Sequence, residues 1–198
     1  MNIPFIFKKE GKLEEITTDI FLIKNVVTDK EMEILKNDID LNAKGIETYD
    51  DNHNVMCFYS VLKSYSKKSI IRYITEKVLN DIIKHVQDKI HIPCLVFDEI
   101  VNLRKIYGPT RRHYDHVLID TLDGVKYRNF SVIVALNDDY EGGEIIFPRR
   151  DIKVKLKAGE AIIFPPYWTH VHCTNDLNGT YRYTLNTWFC DNINLGTQ

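Results

Sequence analysis

At 198 residues the chain suits a single domain, long enough to bury a core without staples. Hydrophobic residues make up 44% and charged residues 27%, an ordinary globular balance. A formal net charge of −2 gives no general attraction to nucleic acid or an anionic membrane, and no apolar run approaches the roughly 20 residues of a membrane span.

At the N-terminus, Lys8 and Lys9 follow a short apolar stretch, whereas a secretory signal carries its basic residues before a longer one. The expectation is a cytoplasmic protein without a membrane anchor. Cys57, Cys94, Cys173 and Cys190 show no CxxC spacing, so buried free thiols are expected rather than disulfides or a zinc ribbon.

Thr28-Asp29-Lys30-Glu31 reads as a capping box, and Met32, Leu35 and Ile39 follow at helical spacing, predicting a helix of about 14 residues. A second helix is expected to begin near Ser66. Its apolar stripe is Ile70, Ile71, Ile74, Val78, Leu79, Ile82 and Val86, with Lys and Asp opposite, the pattern of a helix laid against a sheet.

From residue 94 the period changes. Strands are predicted at 94–97, 100–106, 130–136, 144–147, 153–156, 161–164, 171–174 and 182–189, separated by turn residues such as Gly108-Pro109, Gly142-Gly143 and Asn178-Gly179. Many short strands after two helices predict an α+β, mainly β fold: a sandwich or barrel of jelly-roll type with the helices packed outside. No repeat or linker divides the chain. One domain is expected over 1–198, with residues 1–93 a helical or mixed support for a strand-rich core at 94–190.

Chemistry concentrates in that second half. His113 and Asp115 stand two apart and share one face of an extended segment, with Tyr114 on the other. Downstream lie Gly142-Gly143-Glu144, then Trp168-Thr169-His170-Val171-His172, then Arg182. Two histidines and one carboxylate can hold one face of an octahedral Fe(II), leaving three positions for a cosubstrate and dioxygen. By spacing alone, His-x-Asp reads first as a hydrogen-bonded surface pair. On a strand with Tyr181, Tyr183, Leu185 and Trp188, a buried Arg182 would need an anion, and its planar fork suits a carboxylate. No general-base Glu stands beside the histidines as in His-Glu-x-x-His, which disfavours a zinc hydrolase.

In this order the elements over about residues 95–190 resemble the Fe(II)/2-oxoglutarate-dependent dioxygenases, specifically the prolyl 4-hydroxylase-like branch. The resemblance implies a double-stranded β-helix core and an iron site of His113, Asp115 and a distal histidine. His170 and His172 both qualify, and strand periodicity does not separate them. The family's ten-residue step to the basic residue, and its Trp-Thr-x-x-His form, favour His172; the interval from Phe164-Pro165 keeps His170 as the alternative ligand. By the same resemblance Arg182 would hold the C5 carboxylate of 2-oxoglutarate and Tyr107 would hydrogen-bond it. Thr184 and Asn186 share the face of Arg182 and are candidates for the pocket wall.

The implied activity is hydroxylation of a C–H bond with release of succinate and CO2. It would use Fe(II), 2-oxoglutarate and O2, with ascorbate as a candidate reductant. A prolyl residue of a peptide or protein is the leading substrate, and a free amino acid, small metabolite or nucleobase the alternative. A non-catalytic jelly-roll binding module is the reading of another class. His116, Arg111, Arg112, Tyr140 and Arg149 adjoin the motifs and could face substrate. Specificity is expected in loops at 45–66 and 116–130.

Overall fold

The structure is a computed structural model that describes residues 13–17, 19–43, 55–91, 95–97, 100–121 and 124–191. In chain order the elements are β1 (Leu13–Thr17), β2 (Ile20–Ile23), α1 (Asp29–Ala43), β3 (Val55–Ser60), α2 (Val61–Ser64), α3 (Ile70–Ile90), β4 (Leu95–Phe97) and β5 (Asn102–Ile106). There follow β6 (Leu118–Thr121), β7 (Gly124–Ala135), β8 (Ile145–Phe147), β9 (Ile152–Val154), β10 (Ala161–Phe164), a 3-10 turn at Trp168–His170, β11 (Cys173–Thr174) and β12 (Arg182–Asp191).

Among the described residues the strands form two antiparallel sheets. The larger runs β1-β2-β10-β7-β12-β5-β3, with β4 paired to the end of β12 and β6 to the start of β7; the smaller runs β11-β8-β9. The layering follows from strand periodicity. In β10, Ala161 and Ile163 face the helices while Ile162 and Phe164 face the small sheet, which is why this strand reads as an unbroken apolar run. In β7, Val132 and Val134 face the helices, and Ile133 and Ala135 face the opposite way. One core therefore lies between α1, α3 and the large sheet, and a second between the two sheets.

Helix starts follow local chemistry. The backbone N–H of Thr28 donates to Glu31 Oε2 at 2.9 Å and that of Glu31 to Thr28 Oγ1 at 3.3 Å, closing the capping box ahead of α1. α3 begins at Ile70 rather than near Ser66, because Ser69 is its cap: Ser69 Oγ accepts from the N–H of Ile71 at 3.2 Å. The expected apolar stripe is buried except for Ile70, which is 45% exposed at the first helical position; Ile83 is buried with the stripe.

Four strands, β1, β2, β3 and β6, were not expected. β2 pairs with β10 and β3 with β5, so the N-terminal region supplies strands to both ends of the large sheet. Part of the expected specificity loop at 116–130 is instead the β6–β7 hairpin; 45–54 lies outside the described residues. The strand expected at 171–174 is shorter: His172 forms an isolated bridge and His170 closes the 3-10 turn. Cys173 and Cys190 are free thiols, while Cys94 lies outside the described residues. No helix among the described residues is long and apolar enough to cross a membrane.

Candidate metal centre

The two sheets enclose a cavity of about 300 Å³. Ile145 of β8 and Thr174 of β11 line it from the small sheet; Ser131, Ile133, Arg104, Arg182 and Thr184 line it from the large one. His113, Asp115 and His172 stand in its wall, with one ligand atom from each lying within 4.8 Å of the others.

Backbone pairing builds this cluster. His113 and His172 form a single antiparallel bridge, the N–H of each donating to the carbonyl of the other at 3.0 and 2.9 Å. Asp115 is fixed two residues on, its N–H donating to the carbonyl of Pro166 at 3.0 Å. The imidazoles are then oriented by carbonyls: His113 Nδ1 lies 2.8 Å from Arg111 O and His172 Nδ1 lies 3.0 Å from His170 O. A carbonyl only accepts, so both Nδ1 atoms carry a proton, and in the neutral ring Nε2 then presents a lone pair. Those Nε2 atoms lie 3.5 and 3.7 Å from the Asp115 carboxylate. Ser131 Oγ donates to Asp115 Oδ2 at 2.7 Å.

Electrostatics suit the same arrangement. Burial between Phe147 and Phe164 pushes the His172 pKa down to about 4, outweighing the opposite pull of Asp115. Burial would raise Asp115, but its contacts with His113, His172 and Ser131 hold the carboxyl well below its usual range. For His113, burial lowers the pKa while Asp115 and the Arg111 carbonyl raise it, and the rise wins. Near neutral pH the cluster therefore holds an ionised carboxylate beside a neutral His172.

At one end of the cavity Arg182 is buried and donates to the Gly143 carbonyl at 2.8 Å, while its Nε has no hydrogen-bond partner. Burial lowers its pKa, partly offset by nearby Tyr140. The Gly142-Gly143 pair explains the carbonyl's position. Both have positive φ, at 71° and 68°, and a Cβ on Gly142 would sit 2.0 Å from Asp176 O.

The other expected residues divide. His170 is buried away from the cluster, its Nε2 3.1 Å from Asp19 Oδ2 and its Nδ1 2.9 Å from Thr169 Oγ1. Thr184 lines the cavity and donates to Asn186 Oδ1 at 2.5 Å. Tyr107 is not among the lining residues; Ile106, one position earlier, is. The His116 ring packs 5.2 Å from Tyr167, and Arg149 lies over Trp168 at 5.5 Å. Tyr140 is buried, while Arg111 and Arg112 are exposed. Sequence reasoning passed over Ser131, Arg104, Thr110 and Thr174. Only the inward alternation of β7 and β5 could have signalled the first two.

This fold and histidine–carboxylate cluster have a counterpart among known proteins: residues 104–190 match the model of the 2OG-Fe(II) oxygenase superfamily. Fe(II), 2-oxoglutarate and O2 are the cofactor set of that superfamily. Over 68 residues the chain is 32% identical to rat (Rattus norvegicus) prolyl 3-hydroxylase 2, a match covering 32% of this chain and 10% of that protein. The chain thus spans about a tenth of that curated relative. The viral collagen prolyl hydroxylase of Paramecium bursaria Chlorella virus-1 superposes with a TM-score of 0.69 at 20% identity, covering 88% of this chain and 97% of that one. A Pseudomonas putida prolyl-4-hydroxylase gives 0.68 at 15% identity, covering 89% and 95%. These two structures share the fold.

Proposed function

We propose that this chain is an Fe(II)- and 2-oxoglutarate-dependent hydroxylase of a prolyl residue in a peptide or protein. His113, Asp115 and His172 are its iron ligands, and Arg182 anchors the distal carboxylate of the cosubstrate. The carrying observation is the donor set: two imidazoles with their Nδ1 protons committed to carbonyls and one ionised carboxylate, gathered in a cavity wall. Such a set suits Fe(II) and leaves three positions open. The buried, unfilled Nε of Arg182 suits the carboxylate end of a dicarboxylic acid.

When bound, iron and cosubstrate supply the oxidation itself: O2 is consumed, 2-oxoglutarate loses CO2 to become succinate, and one oxygen atom enters the substrate C–H bond. The residues of the chain orient and shield. Ser131 and the Pro166 carbonyl fix Asp115, the carbonyls of Arg111 and His170 fix the two rings, and Arg182 sets the direction of the dicarboxylate. Ile133 and Ile145 line the same cavity with apolar surface that excludes water.

The two sheets are, in this reading, the walls of a double-stranded β-helix, a jelly roll with α1 and α3 against its outer face. Pairing of β2 and β3 with strands of the 94–190 region supports one domain over 1–198. The names of the rat relative and the viral neighbour favour a prolyl substrate.

The test is conversion of 2-oxoglutarate to succinate, assayed with Fe(II) and a proline-containing peptide. Turnover is expected only with Fe(II), and is expected to vanish in His113→Ala, Asp115→Ala and His172→Ala. Mass spectrometry should find one added oxygen on proline. Succinate formation that persists in all three variants would sink the ligand assignment. Oxygen gained by free amino acids or small metabolites and not by peptides would move the substrate to the alternative class.

A further inference from the structure

The three side chains of the histidine–carboxylate cluster are not equally open to solvent. The His113 side chain is 30% exposed, that of Asp115 14% and that of His172 5%. A molecule arriving from solvent therefore meets the cluster at its His113 edge.

That edge is aromatic and basic. Arg112 and Tyr114 bracket His113 and are both exposed. In an extended segment they share the face opposite His113 and Asp115, with His116 next in the same row. The bond from the Asp115 N–H to the Pro166 carbonyl brings the 3-10 turn alongside, and the His116 ring packs 5.2 Å from that of Tyr167. Trp168 follows, 64% exposed, with the exposed Arg149 guanidinium over its ring at 5.5 Å. Arg112, Tyr114, His116, Tyr167, Trp168 and Arg149 thus belong to one rim beside the cavity. Exposed rings gathered in one place, together with arginine, are the composition of a binding surface rather than of solvated protein.

The rim's charge is unbalanced. Residues 104–114 and 161–175 contain no acidic side chain. Asp115 faces the cavity, and Asp19 accepts two hydrogen bonds from Arg150. Among the described residues neither Arg112 nor Arg149 is ion-paired. A nucleic acid is the poorer fit for this surface, since backbone binding draws on many cations and the chain as a whole carries −2. Two arginines among aromatic rings suit a few carboxylates on a polypeptide.

We propose that this rim is the docking surface for an acidic segment of the substrate polypeptide, in which Asp or Glu side chains near the oxidised residue meet Arg112 and Arg149 while the chain lies over Tyr114 and Trp168. This rests on the proposed prolyl hydroxylase reading and narrows its substrate to a proline flanked by acidic residues. Arg112 adjoins His113 in sequence. At about 3.3 Å per extended residue, the carboxylates belong a few positions from the proline, not beside it.

The experiment uses the Fe(II)-loaded full chain and peptides with one central proline whose flanks carry Glu, Gln or Lys two to four positions away, before or after it. Gain of one oxygen atom gives KM and kcat for each. Rim charges predict a KM for the better Glu-flanked peptide about 3–10-fold below that of its Gln counterpart, with the Lys peptide weaker still. The spread should shrink as salt is raised toward 0.5 M. It should fall below about twofold in Arg112→Gln/Arg149→Gln, and reverse in favour of the Lys peptide in Arg112→Glu/Arg149→Glu. Removing two positive charges from the exposed turn between α2 and α3, in Lys67→Gln/Lys68→Gln, should leave the preference intact. The side of the proline on which Glu acts gives the direction of the bound chain.

Equal KM values for the three flanks in the native protein would overturn the proposal and leave prolyl hydroxylation standing. So would a Glu preference that survives in Arg112→Gln/Arg149→Gln, or one lost equally in Lys67→Gln/Lys68→Gln. If no peptide is oxidised, fluorescence anisotropy of the same labelled peptides on the Mn(II)- and 2-oxoglutarate-loaded protein decides. Tighter binding of the Glu peptide that is lost in Arg112→Gln/Arg149→Gln upholds the docking surface and counts against the prolyl target instead. Equal binding, no binding, or a single-stranded oligonucleotide bound more tightly than the Glu peptide sinks the proposal.

Discussion

His113 and His172 meet across one antiparallel bridge, each backbone N–H donating to the other's carbonyl at 3.0 and 2.9 Å. Two side chains far apart in sequence thus have their Cα positions fixed by backbone hydrogen bonds, and their rings by further carbonyls. The candidate metal cluster inherits the rigidity of the strands around it. His170 contributes only its carbonyl, which any residue at that position supplies. We therefore expect His172→Ala to lower Mn(II) affinity by at least about 100-fold, and His170→Ala by no more than about 10-fold, the scale of a supporting contact. Electron paramagnetic resonance of bound Mn(II) measures both. Equal losses in the two variants would contradict this division of roles.

Asp19 lies in the turn between β1 and β2, outside residues 104–190, yet it reaches the segment that carries His170 and His172. Arg150 donates to its two oxygens at 2.7 and 2.6 Å, Thr17 donates at 3.1 Å, and His170 Nε2 lies 3.1 Å away. Burial acts to raise its pKa, and these partners overcome that and lower it. Asp19→Ala should cost about 1–2 kcal/mol, as expected for a partly exposed network rather than a fully buried pair. It should also loosen the His170 carbonyl and weaken Mn(II) binding several-fold. Urea unfolding and a Mn(II) titration on the same variant test the two effects separately. Unchanged stability would show that the N-terminal hairpin does not brace the site.

Much of this was legible in the sequence where one physical rule governs one residue. Thr28 and Glu31 formed the capping box because its chemistry is local, and the α3 stripe followed from periodicity. Ala161-Ile162-Ile163-Phe164 read as a buried strand because both its faces are covered. What failed depended on partners distant in sequence. Leu13–Thr17 carries two glutamates and gains its place only by pairing with β2. His170 and His172 stand two apart, so strand periodicity put them on one face; the 3-10 turn ending at His170 breaks that periodicity. Ser131 gave no signal because its importance lies in meeting Asp115 from another strand.

The glycine pair of the Gly-Gly-Glu motif makes a sharp prediction. Gly142 sits at φ 71° with Asp176 O only 2.0 Å from where a Cβ would stand, and Gly143 at φ 68° has Leu177 Cδ2 at 2.6 Å. In Gly142→Ala the obstacle is backbone, so the loop has to move. We expect a loss of about 2–4 kcal/mol from clash and left-handed strain together. Gly143→Ala meets a flexible leucine methyl and should cost less in stability. It should instead raise the KM for 2-oxoglutarate, because the Gly143 carbonyl holds Arg182. Thermal unfolding and cosubstrate titration would separate the pair. A Gly142→Ala protein as stable as the native one would show that the loop relaxes freely.

A last prediction concerns acid. Glu31 accepts from the backbone N–H and hydroxyl of Thr28, each at 2.9 Å, and from Lys77 of α3 at 2.5 Å, so one carboxylate both caps α1 and ties it to α3. Burial acts to raise its pKa, but the Lys77 and Thr28 contacts prevail and hold it below the ordinary value of 4.5. The sign follows. A carboxyl with a depressed folded pKa adds stability that is fully present above about pH 4.5 and is lost as pH falls through the depressed value. In Glu31→Gln the capping oxygen remains while the charge is gone. We expect this variant to be less stable than the native protein by about 1 kcal/mol at pH 7. The gap should narrow steadily below pH 4.5 as the native Glu31 becomes protonated. Asp19 and Asp115 also have depressed values and contribute to acid unfolding of both proteins, but they cancel in the difference. Urea midpoints at pH 7, 4 and 3 give that difference directly. A gap that stays constant down to pH 3 would mean that the Glu31 contribution comes from shape and not from charge.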